Sequence, residues 1–538
     1  MDQAALSILQ TLLKTNRPPT DQETAIIRES MAPTNAELKS LEAHISETMA
    51  RIEELESQVE QAESKLQRLR EEEAAILETF DNHRRVFSPF RNIPEDILRE
   101  ICIAVVADSV PALSSRHQTI PLPYVLSQIC SGMRHIALTT PIIWASMHVK
   151  IYPISFNSLA GYERAYSALV LKANTWFERA GGLGLTVSIE DHSDPYEMSA
   201  HSQSALWESL FDTLLSYSTR WKVLQIDTGN ILSAPMVRIA ALTAVEVPLL
   251  QSVSFSLDYV LSDPLLRHSV LLQIPTLRCV KLEICNMEMF TVDWANLTSV
   301  TLHPSPHSRN WIPKSDVKII LQQTKCLIFC DITVGLGGLE EHYTDNISLP
   351  FLKTLIVDER TFIPAKPGAP SILDLITAPI LEIFDMRRQE FFDFADFFKR
   401  STRISKLSLP YFDEDQSFTD TMRFLSHCPS LTELSLWPCK WSMDTSDADK
   451  FLRAFVESDA GVMCPCLQDF SIAGKIDFSF QTLRLFLEGR QGDIAAQNVM
   501  PWKKLVIDIR GIRDTEKRRQ VSNLVSQKKA AGLNIREK

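Results

Sequence analysis

Covalent or metal chemistry in this chain would have to begin at cysteine, and the spacing of its cysteines favours neither. Cys464 and Cys466 flank a single proline, too tight for the C-x-x-C knuckle that grips zinc, and no matching pair follows. Cys326 and Cys330 are just as isolated. A serine nucleophile on a G-x-S-x-G elbow is missing. Neither GxxxxGK nor GxGxxG occurs in a chain with only 16 glycines, so there is no loop of the kind that cradles phosphate. The expectation is a non-catalytic protein with no metal and no cofactor, whose scattered thiols behave as small buried hydrophobes in a reducing compartment.

Charge narrows the partners. The net charge is −12, and residues 35–80 alone carry 5 basic against 12 acidic side chains. Binding to nucleic acid or an anionic membrane through bulk electrostatics is disfavoured, although Arg513 to Lys538 is locally basic and looks like a solvated helix face. The start, MDQAALSILQTLLK, lacks the basic flank and cleavage site of a signal peptide, and no run of about 18 apolar residues occurs. A soluble, intracellular protein of cytoplasm or nucleus is expected.

What remains is recognition, and the elements that would position it. At 538 residues the chain exceeds one compact core, so several domains or a repeat array are expected. After an N-terminal segment, residues 1–34, a heptad pattern marks a long helix over 35–85. Its a positions are Leu38, Ile45, Ile52, Val59, Leu66, Glu73 and Phe80, and its d positions are Leu41, Thr48, Leu55, Ala62, Leu69 and Ile76. In a parallel homodimer Arg51 would face Glu56, but Glu37 would face Glu42 and Lys65 would face Arg70. The expectation is a monomer whose stripe packs on its own chain or on another protein.

The next stretch, NIPEDILREIC, places Asn92 to cap a helix, Pro94 in the first turn and Glu95 and Asp96 at the positive helix end. Ile93, Ile97, Leu98 and Ile101 form one apolar face. Residues 104–124 hold Pro111, Pro121 and Pro123 and are expected to be mostly loop. A second helical run follows, with Leu126, Ile129, Cys130, Met133, Ile136 and Ala137 at helical spacing, ending at Pro141 and Trp144.

From about residue 180 an apolar-x-x-apolar-x-apolar pattern recurs in ten copies. They start at Trp221, Leu250, Leu277, Leu297, Leu352, Leu381, Ile404, Leu431, Leu467 and Trp502. The long gap after Leu297 has room for an eleventh around Cys326 to Phe329. Helix-like segments such as DFADFFKRST and FTDTMRFLSHCPS separate the copies, so each unit is a strand followed by a helix. Such a unit cannot bury its apolar face alone, and stacking supplies the core.

Together, IPEDILREI and VLSQICSGMRHIALTTPIIW resemble the F-box, with its Leu-Pro-x-Glu start, Val-Cys-x-x-Trp-Arg segment and Leu-Trp end. Ile93 stands where the family has Leu, and Met133 where it has Trp. The later copies resemble leucine-rich repeats, and Cys285 and Cys439 occupy the last position of that motif in two of them. The resemblance implies an F-box domain over 88–150 and an α/β leucine-rich-repeat solenoid, a horseshoe of ten or eleven irregular repeats, over 151–538. It implies a substrate-recognition subunit of an SCF-type ubiquitin ligase, docking on a Skp-family adaptor and through it a cullin. Ile93, Pro94, Glu95, Ile97, Leu98, Ile101, Leu126, Ile129, Cys130, Met133 and Trp144 would then serve the adaptor, some of them as core.

In each repeat the third and fifth residues and the one after the sixth point outward on the inner, strand-lined face. These positions include Asp358, Asp385, Arg387, Glu433 and Trp437, the expected target-binding residues, with Trp437 as aromatic anchor. Acidic residues predominate there, which suits a protein target carrying Lys or Arg. The competing expectation is a scaffold that assembles other proteins through repeats and coiled coil without any adaptor.

Overall fold

A computed structural model describes the chain except for residues 1–2, 88, 108–111, 115–119, 152–158, 192–200, 229–232, 258–268, 285–289, 306–310, 336–345, 361–370, 389–393, 412–417, 439–447, 458–460, 475–477, 492–498, 509–514 and 538. Cys285 and Cys439 therefore lie outside the described residues. The chain divides into two compact units, residues 1–94 and 95–538.

The first unit is a short helix, α1 (Gln3–Thr15), packed on the beginning of a 66-residue helix, α2 (Asp21–Val86). A reciprocal capping box starts α2. The Glu23 amide donates to Thr20 Oγ1 at 3.4 Å, and the Thr20 amide donates to Glu23 Oε2 at 2.9 Å. The helix opens well before the expected residue 35. Pro33 hid this in the sequence, since a proline inside a helix removes a backbone donor and normally marks a break.

The second unit begins with α3 (Glu95–Ala107), α4 (Leu122–Ile129) and α5 (Ser131–Leu138). Asn92 does not cap α3. It ends a short 3-10 turn, Pro89–Asn92, and Pro94 immediately precedes the helix, while Glu95 and Asp96 occupy its first turn as expected. The second helical run is likewise two helices. Cys130 sits between them in extended conformation and caps α5, its sulfur accepting from the Met133 amide at 3.4 Å.

Among the described residues seventeen strands follow this start or lie within it. They are β1 (Ala112–Ser114), β2 (Ser146–Ile151), β3 (Leu185–Asp191), β4 (Trp221–Thr228), β5 (Ser252–Leu257) and β6 (Cys279–Ile284). Next come β7 (Ser299–Pro304), β8 (Phe329–Gly335), β9 (Ile347–Ser348), β10 (Thr354–Arg360), β11 (Ile376–Thr377) and β12 (Ile383–Arg388). The last are β13 (Lys406–Tyr411), β14 (Glu433–Pro438), β15 (Asp469–Ile472), β16 (Lys504–Ile507) and β17 (Asn534–Glu537). All except β9 and β11, which pair with each other, form one open parallel sheet of 15 strands in chain order. Every one of the ten sequence copies lies on a strand, and β8 occupies the room left for an eleventh. DFADFFKRST and FTDTMRFLSHCPS supply the helices Ala395–Arg400 and Phe418–Leu425.

Sequential parallel order with intervening helices is a solenoid-like α/β arrangement. Alternation along each strand explains it. On β5, Val253, Phe255 and Leu257 are buried and Ser252, Ser254 and Ser256 face the other way.

Candidate functional site

Two surfaces of the second unit carry residues singled out by the sequence. The first is the helical start, where α3 divides its apolar residues between two faces. Leu98, Cys102 and Val106 are buried, whereas Ile97, Ile101 and Val105 are 48%, 44% and 41% exposed at i, i+4 and i+8. Val125 and Ile129 of α4 are exposed too, as are Leu138 and Ile142. Arg99 fastens α3 to the end of α5, donating to the Thr139 carbonyl at 2.8 Å and Thr140 Oγ1 at 3.1 Å, and it also pairs with Glu95.

Of the residues expected to serve an adaptor, Leu98, Leu126, Met133 and Trp144 are core. Trp144 is fully buried. Its Nε1 donates to the Ala137 carbonyl at 2.7 Å, and its ring meets Tyr124 and Trp176 edge-on at 5.4 and 4.8 Å, with the Arg179 guanidinium 4.6 Å above it. Trp176 in turn donates to the Ser146 carbonyl of β2, so the helices and the first strands share one core. These four side chains are therefore packing residues and are not open to a partner. Glu95, Ile97, Ile101, Ile129 and Cys130 remain exposed. Ile93, half-buried, and Pro94, exposed, belong to the first unit.

The second surface is the polar face of the sheet. Across β2 to β7 it forms a groove of 370 Å3 lined among others by His148, Ser188, Gln225, Ser254, Lys281 and Thr301, which follow one another in register. Charges here are largely paired with each other. Lys150 and His148 meet Glu190 at 3.0 and 2.9 Å, Lys281 meets Glu283 at 2.7 Å, and Lys406 meets Glu433 at 3.0 Å.

The expected target-binding residues gather on β10, β12 and β14, within about three strand spacings, or about 14 Å. Their exposure differs from the expectation. Asp358 is only 3% exposed and accepts from Arg360, whose guanidinium lies 4.7 Å over Trp311. Asp385 is half-buried, and that burial pushes its carboxyl up, against the Ser408 hydrogen bond and the Arg387 charge that pull it down. Arg387 is exposed and reaches across β10 to Asp331 at 3.0 Å. Glu433 and Trp437 are half-buried.

The sequence did not single out Asp331, which lies on β8 next to β10 and extends this patch by one strand. It also meets His303 Nε2 at 3.4 Å, and His303 Nδ1 lies 2.7 Å from Thr333 Oγ1. The signal was present in FCDI of β8 but fell in the long gap between recognised copies. Asp331, Asp358 and Asp385 each keep one buried carboxylate oxygen with no hydrogen-bond partner among the described residues.

Elsewhere the buried polar groups serve structure. Glu359, fully buried, accepts from the Ile372 amide at 2.7 Å and Ser371 Oγ at 3.0 Å; burial pushes its carboxyl up, with the neighbouring Lys314 pulling the other way. Arg490, also fully buried, donates to the carbonyls of Phe455, Leu467, Met463 and Cys464 at 2.8–2.9 Å, and its guanidinium lies 4.6 Å from the Trp502 ring centre. Burial brings Arg490 down to about 10 and pushes the adjacent Cys464 thiol up to about 12, so that thiol carries no thiolate at neutral pH. Among the described residues no group of three His, Cys, Asp or Glu side chains could hold a metal ion, and no helix is long and apolar enough to cross a membrane. Comparison with protein-family models and with curated proteins gives no match.

Proposed function

We propose that the protein is a substrate-recognition subunit of an SCF-type ubiquitin ligase. In this reading α3 to α5 are an F-box that docks on a Skp-family adaptor, and through it on a cullin. The strands and helices that follow are a leucine-rich-repeat array that holds a protein target. The observation carrying the reading is the exposed stripe Ile97, Ile101 and Val105 on a helix whose opposite face is fully packed. A short helix in water has no reason to expose three β-branched side chains in line unless another surface covers them. The order Pro-Glu, Cys-x-x-Met-Arg, Pro-x-x-Trp around it adds the motif resemblance.

For the target, the patch around Asp331, Asp358 and Asp385 supports a segment presenting Lys or Arg, with Trp437 beside it. The test is co-purification with a Skp-family adaptor. Ile97→Asp with Ile101→Asp should lower adaptor affinity by about a hundredfold or more while leaving the melting temperature in place, since neither side chain is core. Full adaptor binding by a folded double variant would refute the assignment and leave the adaptor-independent scaffold.

A further inference from the structure

The long helix α2 carries an apolar seam that its own unit does not cover. From Leu38 to Phe80, Leu38, Leu41, Ile45, Ile52, Leu55, Val59, Leu66, Leu69, Ile76 and Phe80 are all 46–68% exposed. The seam runs about 60 Å. In two respects it is symmetric about its middle, and that symmetry identifies its occupant.

The first respect is the core. In an antiparallel pair of helices, a positions pack against d positions of the other helix. Reversing the seam about its centre sets Leu41 against Phe80, Ile45 against Ile76, Ile52 against Leu69, Leu55 against Leu66 and Val59 against Ala62 of a second copy. The two polar seam residues, Thr48 and Glu73, then meet each other. In a parallel dimer each would face itself, placing Glu73 against Glu73 in a desolvated layer.

The second respect is charge. Flanking positions up to residue 63 carry Glu37, Glu42, Glu56 and Glu63 against one Arg51, whereas beyond it they carry Lys65, Arg70 and Arg84 against one Glu72. None of these nine is in an ion pair among the described residues except Arg51, which pairs with Glu54 at 2.5 Å. Antiparallel, Glu42 and Glu56 come beside Arg84 and Arg70 of the second copy on one edge, and Arg51 comes beside its Glu72 on the other. The two-fold axis makes each pair occur twice. Glu63 approaches its own equivalent near the centre, a repulsion fewer in number than the attractions. Parallel alignment sets Glu37 on Glu42 and Lys65 on Arg70.

We infer that the α2 seam is the interface of an antiparallel homodimer, in which the two α2 C-termini lie at opposite ends of one coiled coil. This replaces the monomer expected from the parallel alignment and does not depend on adaptor binding. Sedimentation equilibrium of the full chain at micromolar concentration should give twice the 60.9 kDa chain mass. Glu42→Lys with Glu56→Lys should weaken self-association by about tenfold or more, and adding Arg70→Glu with Arg84→Glu should restore it. Under mild oxidation, Leu41→Cys with Phe80→Cys should give a covalent dimer beyond the wild-type background, and Leu41→Cys alone should not. Circular dichroism confirms that each variant keeps its helix. A monomeric wild type, a covalent dimer from Leu41→Cys alone, or no rescue by the charge swap in folded protein would each overturn the inference.

Discussion

The helical start of the second unit and the polar face of its sheet are both open to solvent, yet they offer a partner opposite kinds of surface. On α3 the exposed stripe of Ile97, Ile101 and Val105 is aliphatic, so covering it yields affinity through water release and little choice of partner. On the sheet the groups are charged and already engaged with one another, Lys406 with Glu433 and Arg387 with Asp331. A ligand there must exchange existing partners for new ones, which favours discrimination over strength. Under the proposed function, a constant attachment and a selective one would thus sit on different secondary structures, and substitutions at each can press on that division.

Arg490→Met should have the largest effect. It leaves the carbonyls of Phe455, Leu467 and Met463 without this donor, while the Cys464 carbonyl keeps the Leu467 amide, and should cost about 4 kcal/mol or more, read as a lowered denaturant midpoint, because each buried unsatisfied group costs about 1–3 kcal/mol. If instead stability is kept, the repeats are held by something other than this hub. Next comes Trp144→Ala, expected to cost about 3–5 kcal/mol as a buried aromatic lost from a three-ring cluster. Adaptor capture should fall with it only as far as folding does. That outcome separates the core residues of the helical start from Ile97 and Ile101.

Glu359 comes third, and its effect depends on pH. The folded state binds its proton more tightly than the unfolded chain does. Its contribution is therefore full below the ordinary glutamate pKa of about 4.3 and is lost as pH rises toward the raised folded value. Glu359→Gln should flatten this part of the stability profile, and chemical denaturation at a series of pH values measures it; an unchanged slope would remove Glu359 from the account. The smallest effect is expected from Lys406→Ala. That exposed pair should contribute less than about 1 kcal/mol, so thermal unfolding barely moves, while capture of a basic target should tighten slightly as Glu433 is released.

Much of the repeat array was legible because its signal is redundant. Each copy from Trp221 to Trp502 repeats the same inward-pointing triplet, and a strand that misses one apolar residue is still registered by its neighbours. Where redundancy stopped, so did legibility. β1 lies in a proline-bearing stretch read as loop, and β2 carries the full pattern as WASMHV but lies before residue 180, in a segment assigned to the helical start, so neither was expected as a strand. The candidate sites divided along the same line. Spacing alone put Ile97 and Leu98 on one face, but only packing decides that adjacent residues of a helix point to solvent and to core. Likewise, alternation placed Asp358 on the polar face correctly yet could not foresee Arg360 and its neighbours closing over it.

The strictly sequential order of the sheet makes the distance between the helical start and the Trp437 patch a ruler graduated in whole strands. Losing one strand-and-helix unit between them would draw the two together by one step of about 4.8 Å and disturb neither end; gaining one would part them equally. A chain built this way can retune the separation of its two surfaces by insertion or deletion of a unit, a change that leaves both chemically intact.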